Sequence, residues 1–167
     1  MLNYMKKLLF LSIMLLSVLT ASAQFEQGKW YAGASLSGLN LKYSGSEELN
    51  MAFNAKGGYF VADDIMAVAE LGYNHNKNVS DYFTIGAQGR YYIEQNGLYL
   101  GAGLKFVRAN SDYNDLMPGI EVGYSFFISK TVTIEPAIYY DQSFKNHSDY
   151  SSIGLKIGFG IYLDPRD

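Results

Sequence analysis

The groups in this chain that could do chemistry are few, and glycines surround them. Lys56, Glu70, Arg90, Lys105, Glu121, Glu135 and Lys156 are charges on the polar face of runs of alternating polarity. Such a nearly balanced set can line a polar pore or fill an interior with ion pairs. An isolated buried charge costs several kcal/mol, so charges cut off from water must pair. His75 and His147 each fall in a polar connection and read as solvated loop residues, with no catalytic or ligand set around them. Asp112, Asn114 and Asp115 lack the ligand count and glycine placement of a calcium site. Gly101-Ala102-Gly103 and Gly158-Phe159-Gly160 look like pieces of phosphate loops, but no helix follows either one. The sequence therefore gives no catalytic, metal or cofactor site, and the chemistry on offer is ion pairing.

The elements that position these charges are strands. In Ser151 to Leu163, Ile153, Leu155, Ile157, Phe159, Ile161 and Leu163 alternate with Ser152, Gly154, Lys156, Gly158, Gly160 and Tyr162. A period of two puts every large apolar group on one face. Seven earlier runs repeat the pattern: Lys29 to Tyr43, Met51 to Val61, Ile65 to Tyr73, Tyr82 to Ile93, Leu98 to Phe106, Leu116 to Ile128 and Val132 to Asp141. In the first run the phase slips near Gly38, which predicts a bulge. Pro118 and Pro136 each remove a ladder donor and predict a strand end, an edge or a bulge. Ala62 to Asp64, Glu94 to Asn96 and Ser129 to Thr131 are tight turns, the second read from its Asn-Gly as a hairpin signal. Four longer polar connections alternate with them, at Ser44 to Asn50, Asn74 to Asp81, Ala109 to Asp115 and Gln142 to Asp149. Short turns at one end and loops at the other predict an all-β, eight-stranded antiparallel up-and-down barrel.

Alternation alone does not decide which face points inward. A soluble barrel fills its interior with the apolar set, and a transmembrane β-barrel inverts this. The polar set here is rich in glycine, as an interior only just wide enough for side chains requires. Its charges are too few for a solvated surface. Fifteen tyrosines and ten phenylalanines crowd the strand ends. Trp30, Tyr59, Tyr91, Phe126 and Tyr162 lie near the tight turns, with Tyr43, Tyr73, Tyr82, Phe83, Phe106 and Tyr140 near the loops, as interfacial girdles require. Met1 to Ala23, with Lys6, Lys7, an apolar run and Ala21-Ser22-Ala23, has the layout of a signal peptide cut before Gln24. The barrel domain is then residues 24–167. The chain has no cysteine, and a formal charge of −3 gives no case for nucleic acid as a partner.

Register sharpens the expectation for the interior. A turn that pairs Val61 with Ile65 sets Lys56 opposite Glu70. Counting from the tight-turn end sets Lys105 level with Glu121. Glu135 should then meet Arg90 or another base across the lumen. Of the two readings, a salt-bridged plug is favoured over a pore lining, because eight strands leave little room for water.

Over Gln24 to Leu163 the chain resembles the small eight-stranded outer-membrane barrels, above all the single-domain outer-membrane β-barrel proteins of the porin family common in Bacteroidetes. Lys156, Gly158, Ile161 and Leu163 match the closing-strand signal that the barrel assembly machinery reads in that family. The family's strand usually ends on an aromatic, whereas here Leu163 ends it and Asp164 to Asp167 trail beyond. The resemblance implies a monomer in the outer membrane of a Gram-negative cell, in contact with its lipid and lipopolysaccharide. It implies a structural or surface-interaction role with no enzyme activity and no cofactor. The alternatives are a narrow solute channel, a lipid-modifying enzyme and a soluble lipid-binding barrel. The lipid A deacylase barrel has a similar architecture but uses a His-x-Ser pair, a spacing absent from Asn146-His147-Ser148-Asp149.

Overall fold

The computed structural model describes residues 24–41, 51–75, 82–109, 114–145 and 151–165. Its strands are β1 (Trp30–Leu41), β2 (Met51–Ala62), β3 (Ile65–His75), β4 (Tyr82–Tyr92), β5 (Leu98–Ala109), β6 (Asn114–Tyr124), β7 (Phe126–Phe127), β8 (Val132–Asp141) and β9 (Ser152–Leu163). β6 and β7 are two parts of one stave, so nine segments make eight staves. Each stave pairs antiparallel with the next, β1 pairs with β9, and β6 pairs with β8. The sheet is closed, which leaves no free edge.

The alternating pattern fixes the orientation of every stave. Lys56, Glu70, Arg90, Glu121, Glu135 and Lys156 are buried, while Leu36, Leu104, Val122, Ile138, Ile157 and Phe159 are about half exposed on the outer wall. That inversion is the one a lipid solvent demands. Trp30, Tyr59 and Tyr91 stand on the outer wall near the tight turns, and Tyr73, Phe83, Phe106 and Tyr140 near the other end. Tyr162 departs from the expected girdle: it belongs to the inward set and is buried.

The predicted bulge is present, as a register shift between Ser37 and Leu39 where β1 meets β9. The prolines lie on the outer wall within β6 and β8, at the limits of ladders. Pairing of β6 with β8 runs from Gly119 to Gly123, beginning one residue after Pro118. It resumes at Phe126 opposite Ile134, and Pro136 lies in the gap. Without an N–H of its own, Pro136 fits where the ladder is interrupted. On its other side the β6–β7 stave stays paired, with Ser125 N–H donating to Gly97 O at 2.8 Å just beyond the Leu98–Tyr124 pair. The Asn-Gly turn differs from the expected hairpin. Asn96 has φ −89°, and the positive φ values fall on Glu94 and Gln95 in a 3-10 turn and on Gly97. β5 and β6 also extend beyond their expected ends, so Asn114 and Asp115 lie in a strand rather than a loop. The same holds for His75, which ends β3.

Inside, space is tight enough to require glycine. A Cβ on Gly123 would lie 2.4 Å from the Tyr99 ring and 2.8 Å from Ala137 Cβ. The Tyr99 ring thus takes the space over Gly123, and the Tyr31 ring takes the space over Gly160 in the same way.

Candidate functional site: the charged barrel interior

Arg90, on β4, holds the centre of the interior and is 1% exposed. Its Nε donates to Glu121 Oε1 at 3.0 Å, and its Nη1 donates to Glu135 Oε2 at 3.0 Å. The guanidinium is a rigid fork of donors, so one side chain reaches carboxylates from two other strands. It also lies 4.3 Å from the Tyr99 ring centroid and 5.5 Å from that of Tyr31.

Each of those carboxylates is further saturated. Glu121 accepts from Lys156 Nζ through Oε2 and from Gln88 Nε2 at 3.1 Å. Glu135 accepts from Tyr31 and Tyr162 hydroxyls, both at 2.9 Å, and from Thr133 Oγ1 at 3.0 Å. The donors around each buried carboxylate take the place of its hydration shell. A second cluster adjoins the first. Lys105 Nζ donates to both oxygens of Asp141, at 3.0 and 2.8 Å, and lies 3.6 Å from Glu70 Oε1. Lys56 Nζ lies 3.8 Å from the other oxygen of Glu70. A small gap bounded by Glu70, Gln88, Lys105, Glu121 and Asp141 together with wall residues such as Leu104 has a volume of about 10 Å³. That is the room of about one water.

Toward the tight turns the interior changes from charged to aromatic. Phe25, Phe60, Met66, Tyr92 and Tyr162 are buried together there. Phe25 stacks on Tyr92 at 4.1 Å between centroids, and the hydroxyls of Tyr92 and Tyr162 meet at 3.0 Å. Toward the loops, Asp115 is buried and accepts a hydrogen bond from Ser143 Oγ.

The structure thus brings Lys56 together with Glu70, and Glu135 together with Arg90. It does not bring Lys105 to Glu121. The ladder sets Lys105 opposite Met117 and Glu121 opposite Gly101, four residues away. β5 and β6 are joined at the opposite end of the barrel, through residues 110–113, so no turn at the tight-turn end fixes their register, and the count from that end misses the stagger between the strands. Sequence reasoning gave no interior role to Asp141, Asp115, Tyr31, Tyr92 or Tyr99, and it set Tyr162 in the girdle. Parity was the available signal, because each tyrosine belongs to the polar set of its run. Of the closing-strand residues, Lys156 and Gly158 face inward, and Ile161 and Leu163 face outward. His147 and Asp112 lie outside the described residues, and of His75 the strand position alone is described.

The model of the outer membrane protein beta-barrel domain family matches residues 8–166. This chain belongs to that family. Among curated proteins, none matches its sequence. Its fold is similar to the N-terminal β-barrel domain of OprF from Pseudomonas aeruginosa, with a TM-score of 0.65 and 16% identity, covering 82% of this chain and 98% of that one. It is likewise similar to Neisserial surface protein A, with a TM-score of 0.62 and 19% identity, covering 83% and 99%. A third similar structure is the outer membrane protein Ail of Yersinia pestis in a phospholipid bilayer nanodisc, with a TM-score of 0.57 and 13% identity, covering 82% and 100%. Family and fold make this chain an outer-membrane β-barrel, with the apolar outer wall turned to lipid.

Proposed function

We propose that the protein is a sealed outer-membrane barrel that serves as a structural element and displays its long connections at the cell surface. The observation that carries this reading is the Arg90 network. A guanidinium held at 3.0 Å by carboxylates from β6 and β8 crosses the lumen, and Lys156 joins it from β9. Solute passing through would have to break charge-assisted bonds in a space with room for little water. The closing-strand residues Lys156, Gly158, Ile161 and Leu163 serve insertion by the assembly machinery, after a signal peptide is cut before Gln24. The finished barrel acts as a monomer without a cofactor or enzymatic activity.

The short turns face the periplasm and the long connections face outward. This orientation is tested on intact cells with a membrane-impermeant maleimide, because the chain has no cysteine of its own. Phe144→Cys, at an exposed site beside a long connection, should label on intact cells. Lys130→Cys, in a tight turn, should label only after the outer membrane is permeabilised. Equal labelling of Lys130→Cys on intact cells would overturn the surface assignment.

A further inference from the structure

Ahead of the first strand, residues 24–29 turn in across the tight-turn mouth instead of leaving the barrel. Phe25 is 0% exposed, although it precedes every stave of the wall. Its ring meets Tyr92 of β4 at 4.1 Å, Tyr162 of β9 at 5.7 Å, Phe127 of β7 at 5.8 Å and Phe60 of β2 at 6.1 Å. One side chain thus fills the centre of a ring drawn from four strands around the barrel. We propose that this segment is a detachable strap, with Phe25 as its stopper, that closes the periplasmic vestibule of the barrel.

The seat is built by the tight turns. Asp64 N–H donates to Phe25 O at 2.8 Å, while Asp64 O accepts from Tyr92 N–H at 2.8 Å. Asp64 does both from the left-handed region, at φ 63°. Gln27 N–H donates to Asp63 Oδ1 at 2.9 Å, and its Nε2 donates to Val61 O at 3.0 Å. On the far side of the mouth, Gln24 Nε2 reaches Lys130 O at 3.3 Å. The strap therefore spans from the β2–β3 turn to the β7–β8 turn.

Its attachment differs in kind from that of the wall. A stave shares a continuous ladder with two neighbours, whereas the strap joins the β1–β2 ladder only at its end, where Gly28 and Lys29 exchange backbone bonds with Phe60, and holds ahead of that by single bonds and one aromatic side chain. A segment tied to the wall at one end opens locally, below the free energy of global unfolding. In the docked strap Gln24 Oε1 is buried with no hydrogen-bond partner among the described residues. Release rehydrates it, a bias toward opening. An open strap exposes an aromatic socket of Phe60, Tyr92, Phe127 and Tyr162, while the Arg90 network still closes the lumen beyond it. The inference builds on the sealed-lumen reading but does not share its readout, since a strap can open without any ion crossing the barrel.

The test uses the full chain folded in detergent, with Met66→Cys placing one thiol in the buried wall of the vestibule. A bulky maleimide should label this thiol slowly, and adding Phe25→Ala should speed labelling by about tenfold or more. The heat-dependent shift in gel mobility of the folded barrel should be unchanged. Equal labelling rates in the two folded proteins would overturn the proposal. Should Phe25→Ala fail to fold, amide hydrogen exchange on the unaltered chain decides. The Gly28 and Asp64 amides, bonded to Phe60 O and Phe25 O, should exchange together and faster than ladder amides of β3 and β4. Exchange at the ladder rate would show that the segment is part of the wall.

Discussion

Replacing Arg90 with methionine should lower the stability of the folded barrel by about 3 to 5 kcal/mol, read as a shift in the urea midpoint of refolded protein in lipid vesicles. The effect is large because one substitution strips two carboxylates at once. Glu121 keeps Lys156 and Gln88, but Glu135 is left with hydroxyl donors and, among the described residues, no cation in an ion pair with it. A buried ion without a counter-charge bears its desolvation cost uncompensated. The combined change Arg90→Met with Glu135→Gln should recover a large part of the loss, since it removes the stranded charge together with its partner and leaves Glu121 paired with Lys156. If Arg90→Met leaves the midpoint where it was, water fills the interior and the network carries no weight.

The second large effect belongs to the outer wall. Ile157 lies in the middle of β9, between Leu36 and Pro136 on the adjacent strands, and is about half exposed. Ile157→Arg puts a guanidinium at the depth of the lipid tails and should cost about 2 to 4 kcal/mol in vesicles. Phe144→Arg, beyond the end of β8 and 76% exposed, should cost about 0 to 1 kcal/mol. The same difference is expected at Leu104, whose side chain also stands on the outer wall. Equal costs at Ile157 and Phe144 would mean that no lipid gradient acts on the wall.

Which of these features the sequence could show follows from what each depends on. Strand identity and orientation depend on local alternation, so Val132 to Asp141 matches β8 in both ends, and Met51 to Val61 matches β2 to one residue. The Lys56–Glu70 register was legible because a tight turn joins β2 to β3, although the expected Val61–Ile65 pair is not formed: Ala62 pairs with Ile65, and the shift at Val61 leaves the expected count in place from Phe60–Met66 inward. The register of Lys105 against Glu121 was not, because no turn joins β5 to β6 at the tight-turn end and no local pattern encodes the stagger of a barrel. Arg90 could be assigned to Glu135 only as a base across the lumen. Its bond to Glu121 depends on the reach of the guanidinium over the intervening β5 glycines, a matter of three-dimensional distance. Phe25 was hidden for another reason. It stands in no alternating run, so period-two reasoning never asks where its ring goes, although the cluster it completes was present in the inward parity of Tyr92 and Tyr162.

The central claim is that the Arg90 network seals the lumen, and conductance of the purified barrel in planar bilayers tests it most directly. The unaltered protein should insert and show no stepwise ion current, while Arg90→Ala together with Lys156→Ala, if folded by the gel-shift criterion, should show steps. Steady, reproducible channel steps from the unaltered barrel would contradict the sealed interior and make the protein a narrow solute channel.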